Sequence, residues 1–511
     1  MFWGRKMALA KLPSAVVDGV NAYEVDVEVD VASGLPGFVI VGLADKAVEE
    51  SRERIRSALR HSGFSFPISR ITVHLAPSEL KKIGVHFDLA IALGVLAADR
   101  QIKELSLPKD TLFLGGLSLD GKLQPIRGAL VMVEWAKTKG FRQVIVPQEN
   151  FAETTLLEGI KVIGLSSLEE VVDFTKGARN ISKTQVRLKT KADQTAEDWL
   201  QIQGQLTAKR AAAVAVAGGH NLILEGPPGA GKSLLAKGIR ALMPDLSKNE
   251  VIEVVKLHSV AGELDPQAAI SFRPPFRHPH HSASHVAIVG GGTWPRPGEI
   301  SLAHRGVLFM DELPEFNRLV LEVLRQPLED GRVQVSRVHR SAVFPADFLL
   351  VATMNPCPCG WYGSDLRPCR CSAHEINRYR KRISGPILDR IDIALQVPPV
   401  EINELRRPKR DVEELNRLRS LITQTRRVQL ARNDGLLNSL LGGSRLSEIC
   451  VLDNAAEKML EAAAKRFALT GRGYHKALKV ARTIADLNHH EIIEATDLAE
   501  ALQYRQLATQ S

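Results

Sequence analysis

The chain has 511 residues, 44% hydrophobic and 24% charged, and its 67 lysines and arginines against 58 acidic residues give a formal charge of +9. That length holds about three domains, the balance is that of an ordinary soluble protein, and no apolar run approaches the roughly 18 residues of a spanning helix, so no membrane segment is expected. The opening residues carry no apolar segment with a cleavage site, and four of the five cysteines crowd into residues 357–371 while Cys450 stands alone, which is not a secreted disulfide framework. A reducing, cytoplasmic setting is expected, and the modest basic excess permits a polyanionic partner without demonstrating one.

In chain order, strand-like runs (AYEVDVEVDV, GFVIVGL, RITVHLA, QVIVP) alternate with helical ones (DKAVEESRERIRSALRHSG, DLAIALGVLAAD, ALVMVEWAKTKG) over residues 1–175, predicting a mixed α/β domain. Residues 176–198 are polar, basic and poor in large apolar side chains, as a linker is. A second α/β pattern occupies 199–400, and residues 401–511 read as helices with apolar residues three and four apart. The fold class is therefore α/β with a helical C-terminal part.

In NLILEGPPGAGKS an apolar strand runs into a glycine-rich turn and then a helix. Gly226, Pro227, Pro228, Gly229, Ala230 and Gly231 form a loop whose backbone N–H groups face phosphate oxygens, Lys232 neutralises the β- and γ-phosphates of ATP, and Ser233 ligates Mg2+. The partner motif is GVLFMDEL, where Asp311 holds the magnesium through water and Glu312 acts as general base; alone, a strand ending in two acids also describes a solvated turn. The strand FLLVATMNP delivers Asn355 either as an orienter of the attacking water or as a simple strand cap. Arg390, in SGPILDRID, is placed as a finger for a neighbouring site, and Arg472 as a reporter of nucleotide state to the C-terminal helices; a surface salt bridge is the alternative for each.

Two clusters invite metal. Cys357, Cys359, Cys369 and Cys371 form C-x-C, nine residues, C-x-C, a set able to close a tetrahedral, structural Zn2+ site, with four reduced thiols on a loop as the alternative. His278, His280, His281 and His285 sit without a carboxylate or cysteine within their segment, and pore or packing roles are favoured for them over metal. A hairpin GRVQVSRVHRSAVFPADF brings Arg337, His339 and Arg340 near its turn as candidate DNA phosphate contacts, or as an ordinary solvated tip.

Together these segments, with FRPPFRHPHHSASHVAIVGGGTWPRPGEISLAHRGVLFMDELPEF, ATMNPCPCG, ISGPILDRIDI, KVARTIADL and GLPGFVIVGLADKAVEESRERIRSAL, resemble the ComM-like, Mg-chelatase-related family of AAA+ ATPases over residues 7–505. The resemblance implies a domain similar to ribosomal S5 and the Lon proteolytic domain, an AAA+ core and a helical lid. It also implies a homohexamer that binds single-stranded and branched DNA with little sequence preference, a branch-migration activity, and an insert between the two nucleotide motifs that faces a central pore. The first domain is similar to Lon in GGLSLDGKLQPIRGALVMVEWAKTKGFRQVIVPQEN, but the serine of a Ser–Lys dyad falls at Gly84 and the lysine at Met132, so the dyad is expected to be inactive, with a misplaced dyad from the nearby Ser78, Lys81 and Lys82 as the alternative.

Overall fold

The computed structural model describes residues 9–102, 110–177, 194–265, 270–292, 295–337, 340–400 and 410–505. The N-terminal part begins with alternating sequence, and strands β1 (Leu9–Asp18) and β2 (Asn21–Ala32) pair antiparallel. With β3 (Gly37–Val41) and β4 (Arg70–Ala76) they form a four-stranded sheet in the order β1-β2-β4-β3. Between β3 and β4 runs α1 (Ser51–His61). Helix α2 (Asp88–Ala98) is buried along its whole length, and it lies so close to the sheet that a Cβ on Gly94 would meet Val29 Cγ2 at 2.5 Å. Strands β5 (Thr111–Phe113), β6 (Gln143–Pro147) and β7 (Lys161–Leu165) make a parallel three-stranded sheet, with α3 (Ala129–Thr138) joining β5 to β6 and α4 (Leu168–Thr175) following β7.

Helix α5 (Gln194–Leu200) starts inside the stretch read from sequence as linker, and its Trp199 is buried against the helix that follows the glycine-rich loop. Helix α6 (Leu206–Gly218) leads into β8 (Leu222–Glu225), and α7 (Lys232–Leu242) and α8 (Lys248–Ala261) follow, the latter opened by a Ser247–Glu250 capping box. Strands β9 (Phe276–Arg277), β10 (Val307–Met310), β13 (Leu349–Met354) and β14 (Ile393–Gln396) complete a parallel five-stranded sheet in the order β9-β10-β13-β8-β14. The antiparallel hairpin β11 (Arg332–Arg337) and β12 (Arg340–Pro345) precedes β13, and α9 (Ala373–Arg380) precedes β14. Residues of β8, β10 and β13 are buried on both faces, which is why those strands read as unbroken apolar runs.

The C-terminal part is helical: α10 (Val412–Arg432), α11 (Asn454–Arg466), α12 (Gly471–Leu487) and α13 (Ala495–Gln503). It shares one hydrophobic core with the sheet, through residues such as Leu222, Leu415, Ile422 and Ile484. The N-terminal part docks through α3 on α8, where Leu130 and Leu156 pack with Leu246, Val251 and Val255, Gly128 N donates to Ser259 O at 3.1 Å, and Lys256 pairs with Glu134. Among the described residues no helix is long and apolar enough to cross a membrane.

Candidate active site

Because the five strands are parallel, the chain leaves β8, β10 and β13 at one common edge, and each exit carries a polar group. After β8 comes the glycine-rich loop. Gly226 has no room for a side chain, since a Cβ there would lie 2.3 Å from Val397 O, whereas Gly229 and Gly231 adopt φ of +80° and +85° and face open space. A loop that is tight on one side and open on the other presents its N–H groups outward at the start of α7, where the helix dipole favours an anion.

Lys232 folds back into this loop. Its Nζ donates to Gly226 O at 2.6 Å, to Pro227 O at 2.9 Å and to Asn355 Oδ1 at 3.1 Å. Burial pushes its pKa below the usual lysine value, against the pull of Asp311, Glu312 and Glu225. Ser233 Oγ donates to both oxygens of Asp311, at 3.2 and 3.0 Å, so a hydroxyl and a carboxylate share one point in space, a fit for the oxygen-ligated Mg2+ of a nucleotide. Glu312 follows in the left-handed region at φ +54°, a costly conformation outside glycine, and its side chain is exposed.

Sequence reading missed the residue that fixes this turn. Thr353, buried on β13, donates its hydroxyl to Asp311 and accepts the Glu312 N–H at 3.0 Å, setting both acids from the neighbouring strand. Its only signal was a polar residue inside LLVATM. Arg380 and Glu225 were missed as well: Arg380 Nη2 donates to Glu225 Oε1 at 2.9 Å, tying α9 to the residue that enters the loop, and burial raises the Glu225 carboxyl despite that partner.

The remaining expected residues lie elsewhere. Arg390, mostly buried, donates to Arg325 O at 3.1 Å and Pro386 O at 2.7 Å and pairs with Glu329. It precedes β14 and therefore stands at the edge of the sheet opposite its own glycine-rich loop. Arg472 is exposed and opens α12, whose next turn is anchored at that same opposite edge by Lys476 Nζ donating to Ile391 O at 2.8 Å. Neither arginine is brought to Lys232. Arg337 and Arg340 face each other in register at the end of the hairpin; their side chains, and His339, lie outside the described residues.

His278 stacks on Phe309 of β10 with ring centroids 4.5 Å apart, and His281 meets Phe316 edge-on at 6.5 Å. Among the described residues the cluster of three or more metal-capable side chains that converges is instead Cys357, Cys359, Cys369 and Cys371, whose sulfurs all lie within 4.8 Å of one another. All four are free thiols, and the Cys359 thiol is drawn down to about 6 by the Arg370 and Trp361 N–H groups that donate to it.

In the first domain, Gly84 has φ +85° and Met132 is fully buried in α3. Ser78 Oγ lies 3.3 Å from His74 Nε2, and Lys82 Nζ donates to Pro77 O, so those two side chains are engaged with groups other than each other.

A parallel sheet with a glycine-rich loop, a lysine, a serine–aspartate pair, a glutamate and an asparagine along one edge, followed by a helical C-terminal part, defines an AAA+-type ATPase core. The family description "Magnesium chelatase, subunit ChlI" matches residues 198–405, its companion for subunit ChlI of Mg-chelatase matches 27–150, and that for the ChlI C-terminal part matches 413–505. The chain is 41% identical to the competence protein ComM of Haemophilus influenzae over 507 residues, 98% of both chains. It is 39% identical to the uncharacterized protein YifB of Escherichia coli over 501 residues, 98% of this chain and 97% of that one. The chain belongs to the ComM/YifB family of Mg-chelatase-like AAA+ ATPases. A stretch of 102 residues, 20% of the chain, is also 30% identical to an archaeal Lon protease of Methanocaldococcus jannaschii, of which it covers 15%.

Proposed function

We propose that the protein is an ATP-driven, hexameric motor acting on DNA, and that it promotes branch migration of recombination intermediates. The observation that carries the ATP half is the convergence of Lys232, Ser233, Asp311 and Asn355 at one strand edge. In this reading Lys232 leaves its two loop carbonyls for the phosphates, Asn355 orients the attacking water and Glu312 accepts its proton. Ser233 and Asp311 hold Mg2+, which when bound neutralises charge on the phosphates. Arg390 and Arg472, set at the opposite edge, serve the site of a neighbouring subunit, so catalysis requires the ring.

The DNA half rests on likeness to a competence protein over the whole chain and on the formal charge of +9. Arg337, His339 and Arg340 are its candidate phosphate contacts, and such contacts make binding salt-sensitive and tolerant of sequence. We read the first domain as S5/Lon-like but without peptidase chemistry, since glycine and methionine occupy the dyad positions, and the four cysteines as a structural zinc site. The chelatase-subunit match favours a second reading, in which the same ATP cycle remodels a protein partner. ATP turnover measured with and without single-stranded, duplex and four-way-junction DNA separates the two: stimulation by DNA supports the motor, and turnover indifferent to every DNA overturns it in favour of a protein client.

A further inference from the structure

The four cysteines lie in a lobe, residues 355–380, that starts at Asn355 and ends at Arg380, and both of those ends touch the glycine-rich loop or its entry. A third contact lies between them. Gly360, at φ +83°, sits so close to Pro228 of the loop that a Cβ would meet Pro228 Cδ at 2.6 Å and Cγ at 2.7 Å. The lobe thus touches the loop at its entry, at its crest and at its lysine.

What gives the lobe its shape is its sulfur centre. Cys357 Sγ is 3.4 Å from Cys359 Sγ and 3.7 Å from Cys369 Sγ, and Cys359 and Cys369 are 3.6 Å apart. Four sulfurs bound to zinc at about 2.3 Å in a tetrahedron are spaced by about 3.8 Å. The three distances among Cys357, Cys359 and Cys369 lie close to that spacing, Cys371 Sγ is within 4.8 Å of each of them, and Cys357, two residues beyond Asn355, is fully buried. Helix α9 anchors the far end through Ile376 and Tyr379, but in the segment between the cysteine pairs Tyr362 and Leu366 are exposed, at 48% and 67%.

We propose that this lobe is a zinc-dependent latch on the phosphate loop. Zinc on the four thiolates keeps Gly360 pressed on Pro228 and aims Asn355 and Arg380, so that affinity for ATP depends on occupancy of a metal site that takes no part in the chemistry. The inference rests on the zinc and ATP-site readings above and adds the coupling between them.

The test uses the full-length protein. Zinc content is measured by atomic emission, and the Kd of a fluorescent ATP analogue is measured with Mg2+ before zinc removal by dialysis against a chelator, after removal, and after zinc is returned. One zinc per chain, an increase in Kd of about tenfold on removal and its reversal on return are expected. Two variants keep the test independent of whether the stripped lobe stays folded. Gly360→Ala retains zinc and weakens the analogue by a similar factor, because its Cβ collides with Pro228. Gly363→Ala, at φ +74° in the same lobe but facing open space, imposes the backbone strain without the collision and stays within about twofold of wild type. Absence of zinc from the protein as purified refutes the metal reading and the latch with it. Bound zinc whose removal leaves Kd unchanged, or equal effects of the two glycine variants, overturns the latch and leaves the metal reading standing.

Discussion

Lys232 spends its charge on carbonyls of its own loop until a phosphate arrives, and burial makes that charge easier to lose than an ordinary lysine's. The protonated form is the one that attracts phosphate, so ATP affinity falls as pH rises through the depressed pKa, which lies below the ordinary 10.5. Titrations of ATP analogue from neutral pH upward are expected to show that loss, and Lys232→Arg, always charged, to remove it; an affinity flat with pH in wild type contradicts this. Glu312→Gln should bind ATP normally and turn over about 10²–10⁴-fold more slowly, as loss of a general base does. Thr353→Val leaves Asp311 and the Glu312 N–H without their shared hydroxyl and should raise the Mg2+ needed for half-maximal turnover, at a cost of about 1–3 kcal/mol.

The loop and the lysine are legible in sequence because their chemistry needs fixed spacing along one strand–turn–helix, and the two acids because they end a second unbroken apolar strand. Thr353 and Arg380 are not, because Thr353 reaches the acids from the neighbouring strand and Arg380 comes from a helix 155 residues beyond Glu225; the part Glu225 plays shows only once Arg380 is beside it.

Among the elements, α2 shows how far pattern carries. DLAIALGVLAA reads as a helix, and its lack of a polar face announces burial on all sides. The need for glycine at 94 comes only from Val29 on β2, and Gly94→Ala should lower stability by about 1–3 kcal/mol in urea unfolding. Beside α2, His86 is buried with Nε2 unpartnered, and burial lowers its pKa from 6.5 to about 4. The unfolded chain takes the proton first, so stability is full above pH 6.5 and is lost as pH falls toward 4. Urea midpoints across that range should show the loss, and His86→Leu should flatten it; an unchanged slope contradicts the assignment.

Helix α10, the longest of the C-terminal part, lies within the stretch read as helical, and polar contacts hold part of it. Two of its buried positions are polar: Thr425 and Gln429, the latter accepting the Asn438 N–H at 3.1 Å. At its end Arg432 pairs with Asp486 of α12 at 2.7 Å. Apolar spacing marks the stretch as helical, but it does not show which polar side chains the helix buries.

At the scale of the molecule, the placement of Arg390 and Arg472 bears on the proposal that each site is completed by a neighbouring subunit. Arg390 precedes β14, and α12, which Arg472 opens, is anchored beside Ile391, at the sheet edge away from the loop. If each site borrows its arginines from a neighbour, Arg390→Ala and Lys232→Ala are each inactive alone, and mixing them restores part of the turnover, because some junctions then join an intact loop to an intact arginine. No recovery in mixed, co-refolded oligomers contradicts shared sites.

The most direct measurement is migration of a synthetic four-way junction by the purified wild type with ATP and Mg2+, beside Lys232→Ala. The account predicts that wild type resolves the junction into its product duplexes only with hydrolysable ATP and that the variant does not. A wild type that hydrolyses ATP yet leaves every junction intact would contradict a branch-migration motor.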